Sequence, residues 1–230
     1  MGGRVVAEQP RSGFRAGLDA VMLAAAVPAE AGDEVLELGA GAGTASLCLE
    51  WRVPCRIVGV ELEQALVDLA MRNASANGFA DRVHFVRADV FALPAELKRD
   101  FVHVFCNPPF HDPAGESSPD PARSLALRDV GRLGDWLEAG VKRTASGGTF
   151  TLILRADRMA EALAHLPDRG ISVFPLWPRA GAAAKRVVVQ LRKGASHPLA
   201  LLAGLVLHDA TGAYTPAADA ILREGAQLRL

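Results

Sequence analysis

The sequence contains the stretch Phe101-Val102-His103-Val104-Phe105-Cys106-Asn107-Pro108-Pro109-Phe110. Its first part follows a charged residue and is apolar and aromatic, which predicts a buried strand. Asn107 would then lie at the carboxyl end of that strand, where open α/β sheets carry their chemistry. The two prolines fix φ and remove two backbone donors, so the carbonyls and the Asn107 amide are displayed rigidly. Such a cluster beside an aromatic ring suits a flat base with an exocyclic amino group, although Asn and Pro are also ordinary turn residues.

Length and composition predict one globular α/β domain. The chain has 230 residues, of which 50% are hydrophobic and 22% are charged. The net charge of −1 is unevenly spread, because residues 1–115 carry 10 basic and 15 acidic groups, whereas residues 116–230 carry 15 and 11. The chain as a whole has no polybasic signature, so a polyanion would have to bind a local patch.

The cysteines and apolar runs indicate a cytoplasmic protein without a membrane segment. Cys48, Cys55 and Cys106 are odd in number and show no CxxC spacing, which favours neither a disulfide framework nor a zinc site. The apolar run 20–27 resembles the core of a signal peptide, but it is short, follows Asp19 directly and leads into the first predicted strand. No apolar run reaches the ~20 residues of a membrane span. We therefore expect no membrane association and no bound metal.

Strands alternating with helices predict a doubly wound, mostly parallel sheet covered on both faces. No helix separates the last two strands, so we expect them to form an antiparallel hairpin. A long loop, 111–124, follows the central strand and is a candidate functional loop. We expect a single domain, 1–230, with an N-terminal segment and helix covering the cofactor site at 1–33, a Rossmann-like core at 34–193 and an extension at 194–230. The predicted strands are 34–38, 56–60, 83–86, 101–106, 149–154, 171–176 and 186–191, and the predicted helices are 19–27, 44–51, 63–77, 132–144, 157–166 and 216–224.

A glycine-rich loop follows the first predicted strand. Gly39, Gly41 and Gly43 form G-x-G-x-G, but Thr44 stands next, so the third glycine of the dinucleotide fingerprint is missing. Glu37 precedes the loop by two residues, where its charge would repel a pyrophosphate and attract a cation.

Acidic residues end the next two predicted strands. Glu61 could accept both hydroxyl groups of a ribose. Asp89 could accept a hydrogen bond from an adenine amino group. Each carboxylate by itself could be a helix cap or a solvated strand end, but the arrival of both beside the glycine loop and Asn107 indicates a nucleoside-sulfonium site.

These motifs resemble a known enzyme family. The run 35–44, Val-Leu-Glu-Leu-Gly-Ala-Gly-Ala-Gly-Thr, looks like the first motif of class I S-adenosylmethionine methyltransferases, and Asn107-Pro108-Pro109-Phe110 resembles their amino-directed (D/N)PP(F/Y) motif. More narrowly, nearly the whole chain resembles the bacterial tRNA1(Val) adenine-N6-methyltransferase-like family. The further supporting segments are Gln9-Pro10, Gly13-Phe14-Arg15, Leu18-Asp19-Ala20-Val21, Ser118-Pro119-Asp120-Pro121-Ala122-Arg123, Leu207-His208 and Tyr214-Thr215-Pro216.

The resemblance implies a Rossmann-like, seven-stranded class I fold, with S-adenosyl-L-methionine as methyl donor and RNA, most specifically tRNA, as partner. On this basis Asn107, Pro108 and Phe110 are the expected catalytic residues. The amide oxygen of Asn107 and the carbonyl of Pro108 would accept from the amino group, and Phe110 would stack on a base that has left its helix. The cofactor would contact Glu37, Gly39, Gly41, Gly43, Glu61, Asp89 and Asn107, and the substrate would contact Phe14, Arg15, Pro109, His111 and Arg123.

The sequence leaves the acceptor open. His111 and Asp112 after the Asn-Pro-Pro-Phe turn also resemble the site of ribosomal RNA guanine-N2 methyltransferases. A glutamine-amide methyltransferase, a small-molecule N-methyltransferase and a non-catalytic RNA-binding relic of the fold are further alternatives. Trp136 and Trp177 are expected to pack in the core or against helices rather than to stack on bases.

Overall fold

A twisted sheet of nine strands runs through the part of the chain that the computed structural model describes, residues 1–10, 15–109 and 132–230. The strands are β1 Glu34–Leu38, β2 Arg56–Glu61, β3 Val83–Arg87, β4 Phe101–Cys106, β5 Thr144–Arg155, β6 Ile171–Arg179, β7 Arg186–Arg192, β8 Ala200–Leu201 and β9 Leu205–His208. The helices are α1 Leu18–Ala26, α2 Thr44–Arg52, α3 Gln64–Ala76, α4 Leu133–Arg143, α5 Met159–Ala164 and α6 Pro216–Glu224, with 3-10 turns at Ala95–Leu97 and Ala156–Arg158.

The strand order is β3-β2-β1-β4-β5-β7-β6-β8, with β9 also paired to β6. Strands β1 to β5 are parallel, and β7 is antiparallel to both β5 and β6. This topology confirms the predicted class I methyltransferase fold with its antiparallel pair at the end. Since β1 and β4 are central neighbours, the glycine loop and Asn107 leave the sheet side by side at its carboxyl edge.

The sequence prediction missed the two short strands beyond β6. Both β8 and β9 run parallel to β6 and extend the edge of the predicted seven-stranded sheet. Strand β8 has two residues and β9 has four, too few for a clear alternating pattern. Strand β5 also begins earlier than the predicted 149, because Thr144 pairs with Phe101 before the register shifts around Gly147 and Gly148.

Apolar residues cover both faces of the sheet. One cluster lies under α1, α2, α3 and α6, and the other lies under α4 and α5. The apolar run that resembles a signal peptide is α1, and its Met22 and Leu23 are fully buried in the first cluster. Among the described helices, none is long and apolar enough to cross a membrane.

Capping residues stand at both ends of the last helix, which has the predicted bounds 216–224. The Thr215 hydroxyl accepts a hydrogen bond from the Ala218 amide at 3.2 Å, and Pro216 occupies the first helical position. Gly225 follows the helix with a φ of 73°, which is readily adopted only by glycine. The helix predicted at 157–166 is shorter than expected, because its first turn is the 3-10 turn Ala156–Arg158.

Candidate active site at the carboxyl edge of the sheet

The glycine loop between β1 and α2 has a left-handed backbone at each of its three glycines. Their φ angles are 71° at Gly39, 55° at Gly41 and 80° at Gly43. A Cβ at Gly39 would lie 2.7 Å from the Trp136 ring, and one at Gly43 would lie 2.6 Å from the Phe85 ring. A Cβ at Gly41 would meet no atom of the described residues within 4 Å. The outer two glycines therefore let the loop pack, whereas Gly41 borders open space.

Glu61, the last residue of β2, holds the loop against the start of α3. Its Oε2 accepts a hydrogen bond from the Gly41 amide at 2.9 Å, and its Oε1 accepts from Leu62 and Glu63 at 2.7 and 3.0 Å. Among the described residues, Oε2 thus has one hydrogen-bond donor and keeps a lone pair for a second, such as a ribose hydroxyl. Contact between Glu61 and the cofactor stays a prediction.

Glu37 lies on β1 beneath the loop and is only 3% exposed. Its carboxyl accepts a hydrogen bond from the Ser46 hydroxyl on α2. Burial raises the pKa of Glu37 to about 8, even though the Ser46 bond acts in the opposite direction. Much of the Glu37 population therefore carries a proton at neutral pH. The negative charge expected of this side chain is present only in the fraction that is ionised.

We expect Glu37→Gln to change how the free energy of unfolding depends on pH. The folded-state pKa of Glu37 is raised from 4.5 to about 8, so the folded chain retains a proton that the unfolded chain releases between these values. The resulting loss of stability as pH rises from 4.5 to 8 disappears in the glutamine variant. In denaturant titrations, the free energy of unfolding of the variant relative to that of the wild type should rise by at least about 1 kcal/mol between pH 5 and pH 8.5, because one pKa unit is worth about 1.4 kcal/mol.

The exposed carboxyl of Glu96 provides the control for this measurement. In Glu96→Gln, the free energy of unfolding should change between pH 5 and pH 8.5 as it does in the wild type. An equal effect of Glu37→Gln at pH 5 and pH 8.5 would contradict the raised pKa.

Asp89 follows β3 and turns the chain back across the edge. Its Oδ1 accepts a hydrogen bond from the Phe91 amide at 2.9 Å. The Phe91 ring meets Trp136 edge-on, with the ring centroids 5.8 Å apart, and the Arg132 guanidinium lies 3.7 Å from the Phe91 centroid. Phe91, which the sequence analysis does not single out, therefore lies with Trp136 and Arg132 at this part of the edge. Trp136, 5% exposed, packs against Gly39 as a core residue, as predicted.

Asn107 follows β4 and carries a buried acceptor without a donor. Its Oδ1 has no hydrogen-bond partner among the described residues, although this atom is shielded from solvent. Buried polar groups are nearly always paired, so an unpaired amide oxygen indicates a group that a ligand completes. Pro108 beside it is buried and Pro109 is half-buried. The preceding Cys106 thiol has a pKa raised by burial, so it stays protonated and is not a nucleophile.

These residues fit a nucleoside-type methyl donor at the strand ends. Open space lies at Gly41, a free acceptor position remains on Glu61, and Asn107 Oδ1 lacks a donor. Among the described residues, no group of His, Cys, Asp and Glu side chains is arranged to hold a metal ion. The arrangement supplies hydrogen-bond acceptors and an apolar wall, which suits a reaction driven by positioning.

Two asparagines fasten the N-terminal segment to α3 near the glycine loop. Asn73 is buried, accepts from the Glu8 amide at 2.9 Å and donates to the carbonyls of Glu8 and Ala42, both also at 2.9 Å. Asn77 makes a similar reciprocal pair with the backbone of Val6. Because Ala42 belongs to the glycine loop, Asn73 links the N-terminal segment directly to the predicted cofactor site.

The predicted catalytic residue Phe110 and the predicted substrate residues Phe14, His111 and Arg123 fall outside the described ranges, as does Asp112. Arg15 is exposed at the start of the second described range. Among the basic residues in the second half of the chain, Arg186 forms an ion pair with Asp19 at 2.8 Å, so its charge is already compensated. Arg179 and Lys185 are exposed and stand at the same edge of the sheet.

Comparison with known proteins identifies relatives over most of the chain. Residues 16–125 match the family model of the methyltransferase small domain. A tRNA1(Val) (adenine(37)-N6)-methyltransferase of Aeromonas hydrophila is 31% identical, covering 90% of this chain and 88% of that protein. The protein of the same name from Shewanella amazonensis is 29% identical, covering 92% and 91%.

Solved structures agree with the fold. A protein of Agrobacterium tumefaciens, described as a predicted O-methyltransferase, is 27% identical, with a TM-score of 0.77 over 92% of this chain and 99% of that chain. TrmN from Thermus thermophilus has a TM-score of 0.52 at 23% identity, covering 76% and 48% of the two chains, and supports the fold alone.

The likeness to the Aeromonas protein covers 90% of this chain and 88% of that protein, so it reaches beyond the sheet into the N-terminal segment and the C-terminal extension. The glycine loop, the strand-end acids and Asn107 lie together at the carboxyl edge of the sheet, where open α/β folds bind their ligands. The chain is thus an enzyme that uses S-adenosylmethionine as its methyl donor, and it belongs to the bacterial tRNA1(Val) (adenine-N6)-methyltransferase-like family of class I methyltransferases.

Proposed function

We propose that the protein methylates the exocyclic N6 amino group of an adenine in tRNA. The observation that carries this proposal is the buried Asn107 Oδ1, which has no donor among the described residues. A neutral amide oxygen accepts hydrogen bonds from N–H donors, which an exocyclic amine carries. A hydroxyl that must lose its proton before attack does not need such an acceptor. The curated relatives that cover most of the chain are named for adenine N6 and tRNA, which supports the same acceptor.

Asn107 and the Pro108 carbonyl would act on the amine by orienting it. The lone pair of an exocyclic amino group is delocalised into the ring, so the group attacks well only when it is pyramidal. Two acceptors on its N–H groups favour that geometry and point the lone pair towards the donor. S-adenosylmethionine, when bound, supplies a methyl group on a positively charged sulfur. The amino nitrogen would gain the methyl carbon as the carbon–sulfur bond of the donor breaks, the donor would leave as an uncharged thioether, and the nitrogen would lose one proton to solvent.

The base must leave its stack to reach Asn107. An amino group paired inside a helix is inaccessible, so an unpaired loop or a flipped nucleotide is the substrate form. We propose that Phe110 stacks on that base, and that the 1–33 segment, fastened through Asn73, covers the cofactor. A tRNA substrate and three cysteines without disulfides fit a cytoplasmic location.

The test is to incubate purified protein with bulk tRNA and methyl-labelled S-adenosylmethionine, then to separate the nucleosides. We expect the label in N6-methyladenosine, and binding of tRNA that weakens steeply with added salt. Ribosomal RNA and total protein serve as competing acceptors in parallel reactions. The Asn107→Ala protein, which lacks the acceptor oxygen and is expected still to bind the cofactor, controls for contaminating activity.

The other outcomes each identify a different enzyme. Label in N2-methylguanosine of ribosomal RNA would favour the alternative suggested by His111 and Asp112. Label on ribose oxygen would fit the description given to the Agrobacterium protein. Label only in protein would contradict a nucleic-acid acceptor altogether.

A further inference from the structure

The C-terminal extension reaches the same edge of the sheet as the active site. Arg155 at the end of β5 pairs with Arg186 at the start of β7, and Arg186 pairs with Leu176 of β6. Strand β9 runs parallel to β6, with Arg179 in register with His208. The ends of β6 and β9 therefore emerge at the same edge of the sheet as Asn107 rather than at the opposite edge. Because Arg179 and His208 are in register, their side chains lie on the same face of the sheet.

An exposed aromatic pair stands at the end of β9. The rings of His208 and Tyr214 are stacked, with centroids 4.7 Å apart and an interplanar angle of 23°. Tyr214 is 37% exposed. A stacked pair with one ring partly open to solvent can extend its stack by a further flat ring, as aromatic side chains do with unpaired bases.

The loop between these two rings is held in place by its own hydrogen bonds. Asp209 accepts from the backbone amides of Thr211 and Ala213 at 2.8 and 3.1 Å, and from the Thr211 hydroxyl at 2.6 Å. His208 Nδ1 lies 3.1 Å from the Gly212 carbonyl oxygen and donates to it. The Asp209 carboxylate is thereby occupied within the loop, and the rings are presented with little conformational freedom left to lose on binding.

Uncompensated positive charge lies beside this pair. Of the basic residues at this edge, Arg155, Arg158 and Arg186 form ion pairs with Asp157, Glu161 and Asp19. Within the described part of the chain, Arg179 and Lys185 have no carboxylate in ion-pair range. Both are exposed and are therefore open to an external anion.

The separation of this surface from Asn107 defines what it could bind. Four strand steps, β4 to β5, β7, β6 and β9, lie between them, which is about 19 Å at ~4.8 Å a step. A base held at Asn107 cannot also stack on Tyr214. Nucleotides that flank that base on one side can reach Tyr214.

We propose that Tyr214, His208, Arg179 and Lys185 form a binding surface for unpaired RNA nucleotides that flank the methylated base. The proposal rests on the proposed function for the identity of the target. A base stacks on Tyr214, and the adjoining phosphates bind Arg179 and Lys185. The C-terminal extension thus selects substrates that present the target base within a single-stranded loop rather than within a helix.

The test measures the Kd for bulk tRNA by fluorescence anisotropy at several salt concentrations. Tyr214→Ala should weaken binding by about five- to tenfold, within the range known for losing one base stack. Tyr214→Phe should bind like the wild type, because it keeps the ring. The slope of log K against log salt should be unchanged by Tyr214→Ala, since no charge is removed, and the loss should appear in the KM for tRNA.

The charge-removal variant separates the phosphate contacts from the stack. Arg179→Ala with Lys185→Ala should weaken binding and reduce the salt slope by about 1.4, on the scale of ~0.7 per phosphate contact in a single strand. Arg56→Ala is the matched control, because Arg56 is exposed at the start of β2, on the opposite edge of the sheet. It should change neither quantity.

The two proposals fail in different ways. The proposed binding surface would be overturned if Tyr214→Ala melts like the wild type and its Kd for tRNA lies within twofold of the wild-type value. An unchanged salt slope in the double variant would also overturn it. Both double-variant positions are exposed, so that arm stands even if Tyr214→Ala unfolds. A wild-type protein that labels guanine, ribose or protein would contradict the proposed function, and this binding measurement does not depend on that result.

Discussion

Asn107→Ala should reduce methyl transfer by about 10²-fold or more, the scale of losing one preorganised polar contact at a reacting centre. The substitution removes the amide oxygen that is buried without a donor and is proposed to orient the amino group. Because that oxygen makes no hydrogen bond within the described residues, its loss should barely affect folding. The melting temperature should stay within about 2 °C of the wild type, and the Kd for S-adenosylmethionine, measured by calorimetry, should change little.

Asn107→Asp is the matched variant, because it keeps an oxygen at the same position and the motif accepts either residue. It should retain more activity than the alanine protein. Full activity of Asn107→Ala would remove this side chain from the reaction. A large fall in its melting temperature would instead make Asn107 a structural residue.

Gly41→Ala should lower the affinity for S-adenosylmethionine by about 10- to 100-fold, since forcing a methyl into occupied space costs ~1–3 kcal/mol. No described atom lies within 4 Å of the position that the new Cβ would take. The fold can therefore accommodate the methyl group, and only a ligand would meet it. Calorimetry with S-adenosylmethionine and with its demethylated product measures the loss.

Gly32→Ala controls for backbone strain. Gly32 has a φ of 89° and precedes β1 at the opposite edge of the sheet, and a Cβ there would also meet no atom of the described residues within 4 Å. Both alanines should cost ~1 kcal/mol of folding free energy, because alanine is disfavoured in the left-handed region. Equal cofactor affinity in the two variants would show that the open space at Gly41 is not where the ligand lies.

Much of the fold follows from local sequence. Strands β1 and β4 begin and end where the apolar runs 34–38 and 101–106 predict. Gly78 and Gly225 end their helices with φ angles of 73°, as their positions indicate, because only glycine adopts this backbone without strain. The sequence does not predict the bounds of those strands whose extent depends on pairing with a neighbouring strand rather than on their own composition. The start of β5 at Thr144 depends on its partner Phe101, and β9 on its partner β6.

The sequence by itself determined which chemical groups end the central strands, because the carboxyl ends of parallel strands always share one edge. Tertiary structure alone decided the state of those groups. Glu37 carries a proton more readily because the sheet and α2 bury it, and Asn107 Oδ1 lacks a donor because none of the described neighbours supplies one. Likewise, Arg186 is neutralised by a residue 167 positions away, whereas the adjacent Lys185 is not. Burial and pairing depend on residues distant in sequence, so no local pattern contains them.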